Sequence, residues 1–332
     1  MSQLVLTGVG ALAAYTSLER GSDAAPGAGE VAVTVEAAPV NPADSLFAAG
    51  WYGVQPTPPM TLGSEGVGRV TEIGDGVDSG LLGARVIFLA DYKQGTWSHR
   101  VIAAASSVVA VPEEADALQL AMLSINPATA HLLLTRYGAD LKPGAWVGQT
   151  IGNSSVGRYV IALAKRAGYR TLSIVRREEA AVQVRDLGGD AVVLEGEGLA
   201  ARVAEALDGD QLDIVLDGQG GSVVAELATA LRPGGTVVAY SSVTGEPQII
   251  GLGDLIYKEI TLTGFWLVNW VRSAPRAEIE ALYTELAGLV ADGTLSVPIG
   301  ATFPLKQFQA AFEAAFGPER TGKVLFTPGE SS

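Results

Sequence analysis

The stretch from Thr150 to Arg177, TIGNSSVGRYVIALAKRAGYRTLSIVRR, constrains the fold more than any other part of the chain. A short apolar run (Ala145 to Ile151) enters a turn of small residues. An amphipathic segment at helical spacing follows (Arg158 to Ala167), then a second apolar run, Thr171 to Val175. That order is one half of a βαβ unit. The alternation continues through the Glu178–Leu187 helix, AVVLEG, LDIVLDG, GTVVAYS and ITLTGFW. Strands alternating with helices over short Gly-containing connections predict a parallel sheet covered on both faces.

In the turn I-G-N-S-S-V-G, Ile151, Ser154 and Gly157 occupy the three positions where a dinucleotide-binding fingerprint carries glycine, glycine, and glycine or alanine. The first two have departed from the pattern. The context still fits, because the turn follows a strand and opens a helix whose N-terminus can face a pyrophosphate. Asn153, Ser154, Ser155, Val156 and Gly157 are therefore the candidate phosphate contacts. A tight turn that holds no ligand is the plain alternative. Arg176 and Arg177 close the second strand, where an NAD-binding chain carries an acid for the ribose 2′-hydroxyl. Guanidinium groups there suit a 2′-phosphate, so the expected cofactor is NADPH; simple exposure is their alternative.

A chain of 332 residues exceeds one ordinary core, so two domains are expected. Residues 1–120 hold short β-type runs between turn residues (GEVAVTVEAAPVNP, GRVTEIG, ARVIFLAD, SHRVIAA), and helical spacing begins near Asp116. A helix over Ala277–Asp292 and a last helix and strand ending in GKVLF complete the chain. The predicted organisation is a β-rich domain from residues 1–120 and 271–332, with the nucleotide-binding domain, 121–270, inserted into it. A site in the cleft between them is expected. ITLTGFWLV is an apolar final strand at a sheet edge, so pairing with a second copy near Gly264 is expected, giving a homodimer.

The chain has no cysteine, which excludes disulfides and thiolate metal sites, and its two histidines, His99 and His131, are too few for a histidine-built zinc site. Both histidines read as packing residues. The N-terminal MSQLVLTGVGALAAY lacks a basic flank and is broken by glycines, so it reads as a strand and turn rather than a targeting segment. No apolar run reaches membrane-spanning length, and a soluble cytoplasmic enzyme is the expectation. A formal charge of −14 argues against nucleic-acid or anionic-membrane partners. Against that background Arg158, Lys165, Arg166, Arg170, Arg176, Arg177 and Arg185 face only Glu178 and Glu179 in the same span. They form either a solvated face or a local positive field for a phosphorylated ligand.

INPATAHLLLTRYGADLKPG before the turn, SIVRR after it, then DGQGG (217–221) and LIYKEITLTGFWLVNW (255–270) resemble the NADPH-dependent 2-enoyl thioester reductases. These are a zinc-independent branch of the medium-chain dehydrogenase/reductase superfamily. VNPADSLFAAGWYG, LGSEGVGRVTEIGDGV and GTW (95–97) agree, so the resemblance spans nearly the whole chain in order. It implies a Rossmann domain inserted in a discontinuous β-rich, GroES-like catalytic domain. Zinc alcohol dehydrogenases of the superfamily carry Gly-His-Glu where this chain has LGSEG, so Ser64 stands where the histidine ligand would be. The branch's usual asparagine at that spot is also absent, and Ser98 follows GTW where arginine is frequent. Without a Lewis acid, alkoxide formation loses its usual support, whereas reduction of an activated C=C bond does not need one.

The resemblance further implies hydride transfer to Cβ of an enoyl-CoA or enoyl-acyl-carrier substrate and protonation at Cα. Tyr52 of GWYG is the matching tyrosine; on sequence alone it is equally a surface aromatic between glycines. Asn41, Thr129 and Trp266 fall in family motifs near the expected nicotinamide or substrate. Gly220, Gly221, Tyr240 and Ser241 lie at ends of later strands, where such sheets bind ligands. Trp97, Phe265 and Trp266 are alternatively core aromatics. Lys323 reaches either a cofactor phosphate or solvent. Two other readings stay open: a zinc-independent quinone or enone reductase, and a non-catalytic NADPH-binding protein.

Overall fold

The computed structural model describes residues 1–317 and 321–329. The chain forms two compact units: Met1–Ala128 with Leu267–Ser332, and Thr129–Trp266.

The Thr129–Trp266 unit is built on six strands, in chain order Trp146–Gln149, Arg170–Val175, Ala191–Leu194, Leu212–Asp217, Leu231–Ala239 and Thr261–Gly264. Numbered one to six, they lie side by side as 3-2-1-4-5-6, every neighbouring pair parallel. Strand order reverses between the first and fourth strands. In sheets of this kind the crevice beyond the strands' carboxyl ends at such a reversal is where ligands bind. Both faces are covered. Leu172, Ile174, Val215 and Val237 pack with Val203, Val224 and Leu227 of the helices Leu199–Leu207 and Ser222–Ala228. On another part of the sheet, Val175 packs with Ile161 and Val184 from the helices Ser155–Arg166 and Glu178–Asp186.

The sixth strand ends at Gly264, and Leu267–Ser273 is helical, so the apolar run ITLTGFWLV is not one continuous strand. The helical spacing from Asp116 resolves into two helices, Ala117–Leu120 and Asn126–Tyr137.

The other unit is β-rich. Its principal strand, Glu30–Pro39, pairs antiparallel with Val67–Ile73, Arg100–Ala104 and Lys323–Phe326, so the C-terminal strand is tied directly to the N-terminal half. Val31, Val33 and Val35 alternate along it and enter one core with Leu4, Phe88, Trp97, Phe312 and Phe326. Trp97 of GTW is wholly buried, between the rings of Phe312 and Phe326 at 5.5 and 5.2 Å, and its indole N–H donates to the Pro39 carbonyl at 3.1 Å. Its place is structural, as is that of His99, whose ring meets the Ser2 amide at 3.2 Å.

Candidate active site

In the Thr129–Trp266 unit, the turn after the first strand corrects the sequence reading: counted back from Gly157, the G-x-G-x-x-G spacing falls on Gly152, Ser154 and Gly157, so only Ser154 departs from it and Ile151 stands one residue before the first glycine. Ile151 has φ 45°, in the left-handed region that β-branched residues avoid at a cost of about 1–2 kcal/mol. Its Cδ1 lies where a side chain on Gly218 would be, at 2.7 Å from that residue's would-be Cβ, so side-chain packing offsets part of the strain. Gly157, at the third position, permits a contact that no side chain would allow: a Cβ there would stand 2.5 Å from the Gly152 carbonyl oxygen. Ser154 caps the twelve-residue helix Ser155–Arg166, its hydroxyl accepting from the Gly157 amide at 3.1 Å. The next amides at this helix start, Ser155 and Val156, point along the axis toward the turn, as anion sites require.

A buried carboxylate that the sequence reading passed over ties this turn to the loop after the fourth strand. Asp217 is fully buried and accepts from the Thr150 hydroxyl (2.8 Å), the Gln219 and Gly220 amides (3.0 and 3.1 Å) and the Gln248 side chain (3.1 Å). The Thr150 hydroxyl in turn accepts from the Gly218 amide at 2.9 Å. The two loops flanking the strand reversal are thus held in one arrangement. Three buried polar atoms without a hydrogen-bond partner belong to residues at carboxyl ends of strands in this sheet: Gln149 Oε1, Glu195 Oε2 and the Tyr240 hydroxyl. The Tyr240 ring covers Gly218, and burial drives its phenol above the ordinary range, with the neighbouring Ser154 hydroxyl opposing. Unpartnered buried groups are uncommon in native proteins, and these lie at the strand ends beyond which such sheets bind ligands.

Arg176 and Arg177 are both exposed at the end of the second strand, and neither has an ion-pair partner among the described residues. Glu178, the adjacent acid, is taken by Arg185 at 2.7 Å. Gly220 is buried in the loop after the fourth strand, and Ser241 is exposed just beyond the fifth; Thr129 and Phe265 are buried, and Trp266 is half-buried. Phe265 meets Tyr137 edge-on at 6.3 Å and lies under the Arg136 guanidinium, which makes it a packing residue first. Asn153 and Val156 are partly exposed in the turn and first helical turn.

The β-rich unit holds a second polar assembly, entirely buried: Asn41, Asp44, Ser64, Glu65 and Lys323. The Lys323 ammonium donates to the Asn41 carbonyl, and the Asn41 amide nitrogen donates to Glu65 at 2.8 Å. Glu65 also accepts from the Ile125 amide at 2.9 Å. Asp44, in the first turn of the helix Pro42–Ala48, accepts from the Asn41 amide at 2.7 Å and the Ser64 hydroxyl at 2.9 Å. Lys323, read as a cofactor-phosphate contact or an exposed lysine, is instead an internal cation. It is buried because two carboxyls and an amide oxygen compensate its desolvation. Asn41, read as a substrate-cleft residue, has both ends of its amide engaged in the same assembly.

Both acids resist ionisation because they are buried, and the one ammonium only partly offsets this. Burial raises Asp44 to about 6, against the opposing Asn41 amide, the Ser64 hydroxyl and the Lys323 charge. Burial likewise raises Glu65. A carboxyl whose folded pKa lies above its unfolded value keeps its proton in the fold while the unfolded chain has lost it. Stability therefore falls as pH rises through that window, about 4 to 6 for Asp44, by an amount on the order of 3 kcal/mol. Wild type is expected to lose thermal stability relative to Asp44→Asn as pH is raised from 4 to 7. A constant difference between the two melting curves over that range would show that Asp44 ionises normally.

Tyr52 is half-buried in the loop after this helix, beside exposed Trp51, and its ring lies 5.1 Å from that of Tyr92, tilted by 42°. It is the sequence-predicted catalytic phenol, and its hydroxyl side faces Tyr92 rather than lying free.

These features match known proteins. Residues 27–113 match the family model "Alcohol dehydrogenase GroES-like domain", and 155–287 match "Zinc-binding dehydrogenase". The mitochondrial enoyl-[acyl-carrier-protein] reductase of Rattus norvegicus is 32% identical over 303 residues, 90% of this chain and 81% of that protein. The chain belongs to the enoyl reductase family of medium-chain dehydrogenases/reductases. Among solved structures, a mycobacterial quinone oxidoreductase superposes with a TM-score of 0.87 at 26% identity, covering 99% of this chain and all (100%) of that one. An enoyl thioester reductase of Candida tropicalis shares the fold, with a TM-score of 0.82 at 23% identity over 98% of this chain and 99% of that one.

Members of such a family work with a nicotinamide dinucleotide, and the residues of the parallel-sheet unit fit one: a left-handed first turn position, a close-approach glycine, a capped helix start and unpartnered polar atoms at the strand ends. Zinc, which one family model's description implies, does not fit. Among the described residues no group of three or more His, Cys, Asp or Glu side chains could hold a metal ion. Where a metal would need donors in the buried assembly, the Asn41 side-chain amide and the Ser64 hydroxyl already donate to the two carboxyls, and the Lys323 ammonium occupies the Asn41 oxygen. No helix among the described residues is long and apolar enough to cross a membrane.

Proposed function

We propose that this protein reduces the α,β double bond of a 2-enoyl thioester, on CoA or an acyl carrier protein, with NADPH as cofactor. The observation that carries the reading is the relationship to the enoyl-[acyl-carrier-protein] reductases over nine-tenths of the chain, together with Tyr52 at the matching tyrosine. When bound, the dinucleotide supplies a hydride for the substrate's Cβ. The chain's own part is to hold the phosphates and to manage a proton. Asn153, Ser155, Val156 and the Ser154-capped helix start hold the pyrophosphate; Arg176 and Arg177 take the 2′-phosphate. Thr129, Gly220, Tyr240, Ser241 and Trp266 border the remainder of the cofactor. As electron density moves from Cβ toward the thioester oxygen, Cα needs a proton, and the Tyr52 phenol donates it.

Quinone or free-enone reduction is the second reading, favoured by the quinone oxidoreductase neighbour at 26% identity. NADPH oxidation measured in parallel with crotonyl-CoA, a free enone and a quinone decides between them. The thioester is expected to give the highest kcat/KM; a higher value for the quinone would replace the first reading by the second. No turnover with any of the three would leave a binding protein.

The homodimer belongs to the same reading. Thr261–Gly264 is the sheet's last strand and is largely exposed, and beside it in sequence the helix Leu252–Tyr257 presents Leu252, Ile256 and Tyr257 at 70, 54 and 86% exposure. An open strand edge flanked by exposed apolar side chains is a pairing surface. The protein is expected to sediment with twice its chain mass at micromolar concentration, and Leu262→Lys to lower that mass. A monomeric wild type would refute the pairing.

A further inference from the structure

We propose that Tyr92 is a proton-relay residue behind Tyr52, linking the Tyr52 phenol through the Ser64 hydroxyl to the buried Asp44 carboxyl. The inference rests on the reading of Tyr52 as proton donor. Three features of Tyr92 point to it.

The first is its backbone. Tyr92 has φ 60°, a conformation a bulky residue adopts only when its surroundings impose it, and such residues gather at functional sites. On either side of Tyr92 the chain is tied down by buried Asp91, whose carboxylate accepts from the Lys93 amide at 3.0 Å and the Ser107 hydroxyl at 3.0 Å.

The second is the ring. It lies between Phe47 at 5.3 Å and Tyr52 at 5.1 Å, tilted about equally to both. This fixes the direction in which the hydroxyl points.

The third is the hydroxyl. It is buried and has no partner within ordinary hydrogen-bond distance, which is costly for a polar group. Yet burial, and then the Tyr52 and Asp44 groups beside it, hold its proton firmly, while the Ser64 hydroxyl eases that effect. Tyr92 and Asp44 also line a cavity of about 10 Å³, with Met60, Thr61 and Gln94, room for about one water. The Ser64 hydroxyl lies 2.9 Å from the Asp44 carboxyl, and both groups act on the Tyr92 phenol.

The step balances without redox. The Tyr52 O–H bond breaks as the Cα–H bond forms. The resulting phenolate takes the Tyr92 proton; the Ser64 hydroxyl, turning from Asp44 toward Tyr92, gives Tyr92 its proton and takes one in return from the protonated Asp44 carboxyl. The charge comes to rest on Asp44, which the Lys323 ammonium faces and which Glu65 adjoins through Asn41. A solvent proton restores Asp44 between turnovers. The relay matters because a bound acyl thioester covers the open side of Tyr52 and cuts its own access to water.

The test is a double-mutant cycle on the full-length protein, with crotonyl-CoA and NADPH. Tyr92→Phe keeps the ring contact and removes one oxygen. It is expected to lower kcat on the order of tenfold at unchanged KM for crotonyl-CoA, since relay steps act on turnover and not on binding. In a Tyr52→Phe background the same change is expected to do nothing further, because there is no phenolate left to refill. Ser64→Ala, which leaves both rings alone, is expected to match Tyr92→Phe. Wild-type kcat in Tyr92→Phe or Ser64→Ala, with Tyr52→Phe impaired, overturns the relay alone. Additive losses in the double variant overturn it too. Full activity in Tyr52→Phe overturns the proton-donor reading itself.

Discussion

Tyr52→Phe is expected to lower kcat for reduction of an enoyl-CoA by roughly 10²–10³-fold, within the range that a positioned general acid contributes. Hydride addition at Cβ is half of the reaction, and the negative charge it sends toward the thioester oxygen is relieved only when Cα is protonated. The substitution removes one oxygen and keeps the ring, so the tilted contact with Tyr92 at 5.1 Å survives and the melting temperature should stay close to that of wild type. The dissociation constant for NADPH, read by fluorescence, should also stay unchanged, because the residues proposed to hold the dinucleotide belong to the other unit of the fold. The residual rate would come from protonation by water. A variant that keeps full kcat would remove Tyr52 from the mechanism. One that loses activity together with NADPH affinity would mean that the phenol supports the cofactor instead.

What could be read from the sequence was what is local. The alternation of strands and helices specified the parallel sheet, and its expected ligand edge followed from the turn at Ile151–Gly157 and from Arg176 and Arg177. In each of these the chemistry lies within some two dozen residues of chain. Even there the reading was partial: Ile151 looked like a lost glycine, although the fingerprint's first glycine is present one residue later, at Gly152, and Ile151 holds a left-handed conformation with its side chain over Gly218. The buried polar residues were not legible. Asp217 meets Thr150 across 67 positions and Lys323 meets Asn41 across 282, and no periodicity or spacing reports a contact over that distance. Lys323 in particular reads as a surface lysine in GKVLF, since nothing in its neighbours announces two carboxyls waiting inside the fold. Tyr92 was missed for a related reason: the signal is a backbone conformation, and DYKQG carries no glycine at the position that adopts it.

Replacing both Arg176 and Arg177 by alanine is expected to raise the KM for NADPH by about 10²-fold or more and to leave that for NADH within about twofold. Each guanidinium can give a phosphate two charge-assisted hydrogen bonds, worth about 1.5–3 kcal/mol per bond in favourable settings, and tenfold in affinity corresponds to about 1.4 kcal/mol. Both side chains are exposed, so water and salt screen them and the lower end of that range applies. Their freedom makes the prediction sharp. Neither has a competing acid among the described residues, Glu178 being paired with Arg185, so no internal ion pair has to be broken for a phosphate to bind and none is left behind when they are removed. NADH has no 2′-phosphate and loses nothing. The wild-type preference for NADPH should also weaken as ionic strength rises from 0.05 to about 0.5 M, while the double variant shows no such dependence. Equal losses for the two cofactors would place the arginines on the shared pyrophosphate. No loss for either would return them to the solvated surface, and the preference would have to come from another part of the parallel-sheet unit.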